Sequence, residues 1–250
     1  MPAILHPGAG ERAFRFRAVD VAPALRPYVD HYWIVTWELR EPYHQQVLPY
    51  PAVNMTFKPG RCRIAGVPKG RFHETLEGTG RVFGVRFRPG GFRPFFDAPI
   101  ATITDRFVPI STVFPADLPS RVLAADDEAA AAILDEALTA AAPATPDPVV
   151  ELAAAAVART GAVARVDELA AEFSLGVRQL QRIFADYVGV SPKWVIRRHR
   201  LHEAAARAAD GTPLDLGALA ADLGYSDQAH LTRDFTAITG LPPATYIREQ

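Results

Sequence analysis

The chain of 250 residues has one cysteine, Cys62, which rules out two architectures. It cannot hold a disulfide framework, and a zinc site built on several cysteines is excluded. A lone thiol suits a reducing compartment. No apolar run nears the roughly 18 to 20 residues that a membrane span needs; the longest apolar stretches are alanine-rich and broken by charge. The segment Met1 to Phe14 has no basic region followed by an apolar core, so it does not read as a secretory signal. A cytoplasmic protein without a membrane partner is expected. Neither charge sign dominates: 27 Lys and Arg face 28 Asp and Glu, for a formal net charge of −1. Whole-chain electrostatics therefore do not announce a polyanionic partner. His31, His44 and His73 with Glu74 fit no metal-binding spacing. Pro89-Gly90-Gly91-Phe92 lacks the Lys and Ser/Thr of a phosphate loop and reads as a turn before a helix. No metal and no cofactor is expected.

The chain does have two contrasting halves. Hydrophobic residues make up 49% of the sequence, enough for one large core or two ordinary ones. From about Phe14 to Phe87 the pattern is strand-like. His31 to Leu39 is aromatic and β-branched, and Val53 to Phe57, Arg61 to Ile64 and Arg81 to Phe87 continue it. Gly84 inside the last run is expected to mark a bulge. Frequent Pro and Gly breaks predict short strands in a small barrel or sandwich. Asp126 to Ala142 reads as an alanine-rich helix with Ile133, Leu134 and Leu138 on one face. The proline-rich stretch that follows cannot continue it. The expected division is a β-rich sensor or dimerisation domain over 1–142, a linker over 143–148 and an all-α domain over 149–250. The fold class is α+β.

The all-α part repeats itself. Leu169-Ala-Ala-Glu-Phe173 returns as Leu219-Ala-Ala-Asp-Leu223 after 50 residues, and Leu180, Arg182, Phe184, Gly189 and Pro192 return as Leu231, Arg233, Phe235, Gly240 and Pro243 after 51. Each unit reads as helix, tight turn, helix. The second helices are expected over Val177 to Tyr187 and Asp227 to Ile238, the latter with Ser226 as N-cap; Gly189 and Gly240 stop them in the left-handed conformation. The small residue after each leucine permits close helix crossing. Ser191-Pro192 should open a helix running to about Ala209, of roughly 27 Å at 1.5 Å per residue. Such a rod is of the right size to hold two reading helices in successive major grooves about 34 Å apart. The block from Arg178 to Arg207 carries a net of five positive charges, so positive charge is local.

This constellation resembles the DNA-binding domain of the AraC/XylS family of transcription regulators. Leu180-x-Arg182-x-Phe184, Gly189-Val-Ser-Pro192, Leu223-Gly-Tyr-Ser226 and Gly240-Leu-Pro-Pro-x-x-Tyr246 carry it, over about 157 to 249. Gly176 departs from the family's usual capping serine, and Leu231 from its frequent phenylalanine. The resemblance implies seven helices, two helix-turn-helix units and double-stranded DNA as partner. The candidate contacts are Arg178, Gln179, Gln181, Arg182, Lys193, Arg197, Arg198, Ser226, Gln228, His230, Thr232 and Arg233. Arg and Gln are the side chains that read guanine and adenine edges bidentately. Asp215, Asp222, Asp227 and Asp234 weaken the electrostatic case of the second unit. The first half is similar to an uncharacterised domain of actinobacterial-type regulators, through Tyr32-Trp33, Leu48-Pro-x-Pro51 and Gly84-Val-x-Phe-x-Pro-Gly-Gly-Phe92. By analogy it is a β-rich, cupin-like sensor. Trp33, Trp37 and Phe57 are its candidate ligand-lining residues, alongside the plainer reading as core. A small-molecule effector, a homodimer and, for an activator, RNA polymerase are the further expected partners. The rival reading is an enzyme or DNA-alkylation sensor that uses Cys62; no Cys-His-Asp set supports it.

Overall fold

The computed structural model describes residues 13–47, 49–70, 72–209 and 215–248. Leu48 and the side chain of Ile238, both invoked above, lie outside the described residues. The first half contains strands β1 (Arg15–Val19), β2 (Val29–Glu38), β3 (Tyr43–Val47), β4 (Asn54–Phe57), β5 (Arg63–Ala65), β6 (Phe72–Leu76), β7 (Thr79–Phe87) and β8 (Phe107–Val108). Six form an antiparallel sheet in the order β1-β2-β7-β4-β5-β8, and β3 pairs with β6 alone. The period-2 pattern explains the core. Tyr32, Ile34, Met55, Phe57, Ile64, Phe83, Val85 and Phe87 point to one face and are buried in a single cluster.

Gly84 is not a bulge. The β2–β7 register runs unbroken from His31 opposite Arg86 to Glu38 opposite Thr79, and the irregularity lies between Val29 and His31. Gly84 instead seats the Trp33 indole: a Cβ there would stand 2.0 Å from it. Gly80 does the same for Trp37, at 2.2 Å.

Two helices, α1 (Leu118–Ala124) and α2 (Asp127–Ala141), then cover the sheet. Asp126 caps α2 by accepting from the Ala129 amide at 2.8 Å. Leu134 and Leu138 enter the sheet core. Asp135 holds α2 in place, accepting from the Tyr32 hydroxyl at 2.8 Å and the Ala22 amide at 3.0 Å.

Seven helices follow among the described residues: α3 (Pro148–Arg159), α4 (Val166–Glu172), α5 (Val177–Ile183), α6 (Pro192–Ala209), α7 (Leu216–Asp222), α8 (Gln228–Thr239) and α9 (Pro243–Arg248). A π-helical turn, Phe184–Val188, prolongs α5. Helix α6 opens as the Ser-Pro pair requires, with the Trp194 amide donating to Ser191 Oγ at 3.2 Å.

The hydrophobic bodies do not divide at the proline-rich stretch. Val150 of α3 is buried in the sheet core, while Val67 from the β-rich half is buried in the core of the first helix-turn-helix unit with Leu169, Leu180 and Phe184. The second unit has a separate core of Leu201, Ala204, Leu219, Leu231, Phe235 and Tyr246.

Candidate nucleic-acid interface

In the first unit α4 buries Leu169 and Ala170, and α5 buries Leu180. Their connection turns at Ser174, whose φ is +54°. The equivalent residue of the second unit is Gly224, at φ +70°. The turn is closed alike in both: the Leu175 amide donates to the Ala170 carbonyl at 2.9 Å, and the Tyr225 amide to the Ala220 carbonyl at 2.8 Å. The repeat therefore extends to backbone geometry. It reaches the far ends too, since Gly189 and Gly240 terminate the second helices at φ +90° and +89°.

With Leu180 and Phe184 turned inward, α5 presents Arg178, Gln179, Gln181 and Arg182 outward, all exposed. Neither arginine makes an ion pair or hydrogen bond with another described residue. Lys193, at the start of α6, is likewise exposed and unengaged among the described residues. On α8, Gln228 and Arg233 are exposed, and His230 and Thr232 are half-buried.

The second surface is electrostatically quieter. Asp234, mostly buried, lies 3.2 Å from Arg197 Nε and 3.9 Å from His230 Nε2. His230 also meets Ser226 Oγ at 3.3 Å and packs edge-on against Tyr225. Asp227, not Ser226, caps α8, accepting from the His230 amide at 2.7 Å. The carboxylate is one residue nearer the helix and takes the role; Ser226 stays exposed beside it.

The basic rod is less available than its composition implies. Arg198 is buried, contrary to its placement among the exposed contacts. Its Nε donates to the Pro49 carbonyl, and its guanidinium stands 4.8 Å from the Tyr50 ring. Arg200 donates to the Ala164 and Gly224 carbonyls at 2.6 and 3.2 Å, and Arg207 pairs with Glu203 and Asp222. Composition alone does not tell which arginines fasten helices together and which face solvent.

The β-rich half docks on the first unit at the π-helical turn that follows α5 and at the glycine that ends it. Arg93 Nε donates to Asp186 at 2.7 Å, and Thr104 Oγ1 donates to the Gly189 carbonyl at 2.6 Å. Neither contact touches Arg178, Gln179, Gln181 or Arg182.

Residues 169–249 match the family described as a helix-turn-helix domain. The chain carries an AraC-type DNA-binding domain. Residues 18–109 match a domain of unknown function (DUF6597). No curated protein matches the chain. Among solved structures it is similar to a probable AraC family transcriptional regulator from Rhodopseudomonas palustris, at 26% identity over 38% of this chain and 89% of that one, with a TM-score of 0.34. It is similar to the C-terminal domain of AraT, a response regulator from Geobacillus stearothermophilus, at 20% identity, with coverages of 42% and 87% and a TM-score of 0.37. It is also similar to ToxT from Vibrio cholerae, at 10% identity, with coverages of 94% and 98% and a TM-score of 0.40. The AraC-type domain assigns the chain to DNA-binding transcription regulation.

The ligand candidates of the first half do not converge. Phe57 is fully buried in the sheet core, whereas Trp37 belongs to a separate cluster with Phe14 and Leu76. Trp33 lies over Gly84 on the outer face of β7. Trp37 does border an open cleft of about 310 Å³, with Lys58 5.1 Å from its ring centre. Cys62 is half-buried, its Sγ donating to the Lys58 carbonyl at 3.5 Å, and burial pushes its thiol above the usual value. Among the described residues no cluster of three metal-ligating side chains exists, and no helix is long and apolar enough to cross a membrane.

Proposed function

We propose that this chain is a sequence-specific transcription regulator that reads duplex DNA through α5 and α8 and is controlled through its β-rich half. The carrying observation is the outward face of α5. Arg178, Gln179, Gln181 and Arg182 are exposed together, and neither arginine is engaged by another described residue. In this reading Gln179 and Gln181 touch base edges, and Arg178, Arg182 and Lys193 contribute phosphate contacts. Helix α8 contributes Gln228, Thr232 and Arg233. It adds less electrostatic affinity, because Asp234 already pairs with Arg197. Control comes from a small ligand or from a homodimer formed by the first half. An activator would contact RNA polymerase as well.

The test is selection of bound fragments from random duplexes, followed by titration of the selected site. Gln179→Ala or Gln181→Ala should relax preference at one base pair by about 1–3 kcal/mol. Arg182→Ala should weaken all duplexes alike and lower the salt slope by about one. Equal affinity of wild type and variants for every duplex would reject the reading.

The thiol reading finds no support. A nucleophilic cysteine needs its thiolate stabilised, and Cys62 is shifted the opposite way by burial.

A further inference from the structure

A cleft of about 530 Å³ lies between the β-rich half and the first helix-turn-helix unit. The helical side supplies Ala154 and Val157 of α3 with Val195 and Arg198 of α6, and the β-rich half supplies Tyr50, Arg88 and Asp30, whose carboxylate is already engaged by Arg86 and His31. The arginines around it are not equivalent. Arg86 meets Asp30 at 3.4 Å, and Arg88 meets Glu151 at 3.0 Å. Arg198 has no carboxylate partner among the described residues, although it is only 7% exposed. Tyr50 lies between two guanidiniums, with Arg86 at 3.8 Å and Arg198 at 4.8 Å from its ring. His202 contributes no balancing charge, and its buried Nε2 has no hydrogen-bond partner.

An arginine buried beside a second arginine, held by one carbonyl and one ring face but by no carboxylate among the described residues, is costly for folding alone. Lining a cleft, the same group is a recognition element. We propose that this cleft binds a small organic monocarboxylate, with its carboxylate on Arg198 and its apolar part against α3, and that binding ties the β-rich half to α6. One unbalanced guanidinium matches a single charge, and its planar fork fits a carboxylate. The apolar wall favours an amphiphile over inorganic phosphate. The proposal rests on the regulatory reading above and names the site through which control acts.

The test uses the full chain without DNA, by isothermal titration with straight-chain monocarboxylates from acetate to decanoate, the matching alcohols, and inorganic phosphate. The acids should bind saturably at one site, tightening by roughly fourfold per methylene until the cleft is filled. Alcohols should bind about tenfold more weakly or worse. Arg198→Gln should remove this difference between acid and alcohol. Ala158→Trp, at the exposed rim, should exclude the longer acids while preserving the fold. The proposal is overturned if no acid saturates, if alcohols match acids in the wild type, if Arg198→Gln binds acids unchanged, if Ala158→Trp admits decanoate as well as wild type does, or if phosphate alone binds. A chain that binds the acids but no duplex would sink the regulatory reading and leave the cleft assignment standing.

Discussion

Ser174 occupies a left-handed conformation that its counterpart Gly224 adopts without a side-chain penalty. That conformation costs an L-residue with a Cβ about 1–2 kcal/mol, partly offset by the entropy a glycine adds to the unfolded chain. Ser174→Gly should therefore stabilise the chain by roughly 0.5–1 kcal/mol in urea titration. The reciprocal Gly224→Ala should destabilise by a similar amount, although the space its Cβ would enter is only in ordinary contact with the Arg200 guanidinium. At the same scale, burial beside Arg198 and His199 pushes His202 down to about 3 from its ordinary 6.5. The folded state thus binds fewer protons than the unfolded state, so stability falls as pH drops from 6.5 towards 3. The loss is at most about 1.4 kcal/mol per pH unit. Urea midpoints at pH 7, 6 and 5 should decline more steeply for wild type than for His202→Gln; parallel slopes would contradict this origin.

At the scale of elements, Gly189 does two jobs. It ends the π-helical turn at positive φ, and a Cβ there would come within 2.8 Å of Ile100 Cγ2, where the β-rich half docks. Gly189→Ala should both strain the helix end and wedge the two halves apart. Faster amide exchange around Ile100–Ile103 and in α5, with α8 unaffected, is the expected signature. Exchange rising equally in both units would show that the docking contact is unimportant. Local elements were readable from sequence because their determinants are local. Asp126, Ser191-Pro192 and the leucine-alanine pairs act within one or two helical turns. What escaped was decided by distant packing. Arg198 finds its partner at Pro49, 149 positions away. Gly84 is explained only by Trp33 across the strand pair, and Phe57 by its place in the sheet core. At the interface, exposure of α5 followed from helical periodicity, whereas the pairing of Arg197 with Asp234 depends on how α6 crosses α8.

For the whole molecule, the proline-rich stretch divides the sequence without dividing the hydrophobic bodies. The sheet and the two helix-turn-helix units each have a large core, and α6 belongs to two of these three. Val195 and Ile196 near its start are buried with the first unit, and Leu201, Ala204 and Ala208 farther along with the second. The first reading helix is therefore carried on the same body as the β-rich half, while the second packs on a core shared with the later part of the rod. Moving the first half relative to α5 would open a continuous apolar core. Re-aiming α8 asks for a bend in α6 between Ile196 and Leu201, held there by Arg198 on the Pro49 carbonyl and by Arg200 on the Ala164 and Gly224 carbonyls. A regulator built this way would adjust the spacing between half-sites it accepts more readily than the bases it recognises at the first of them.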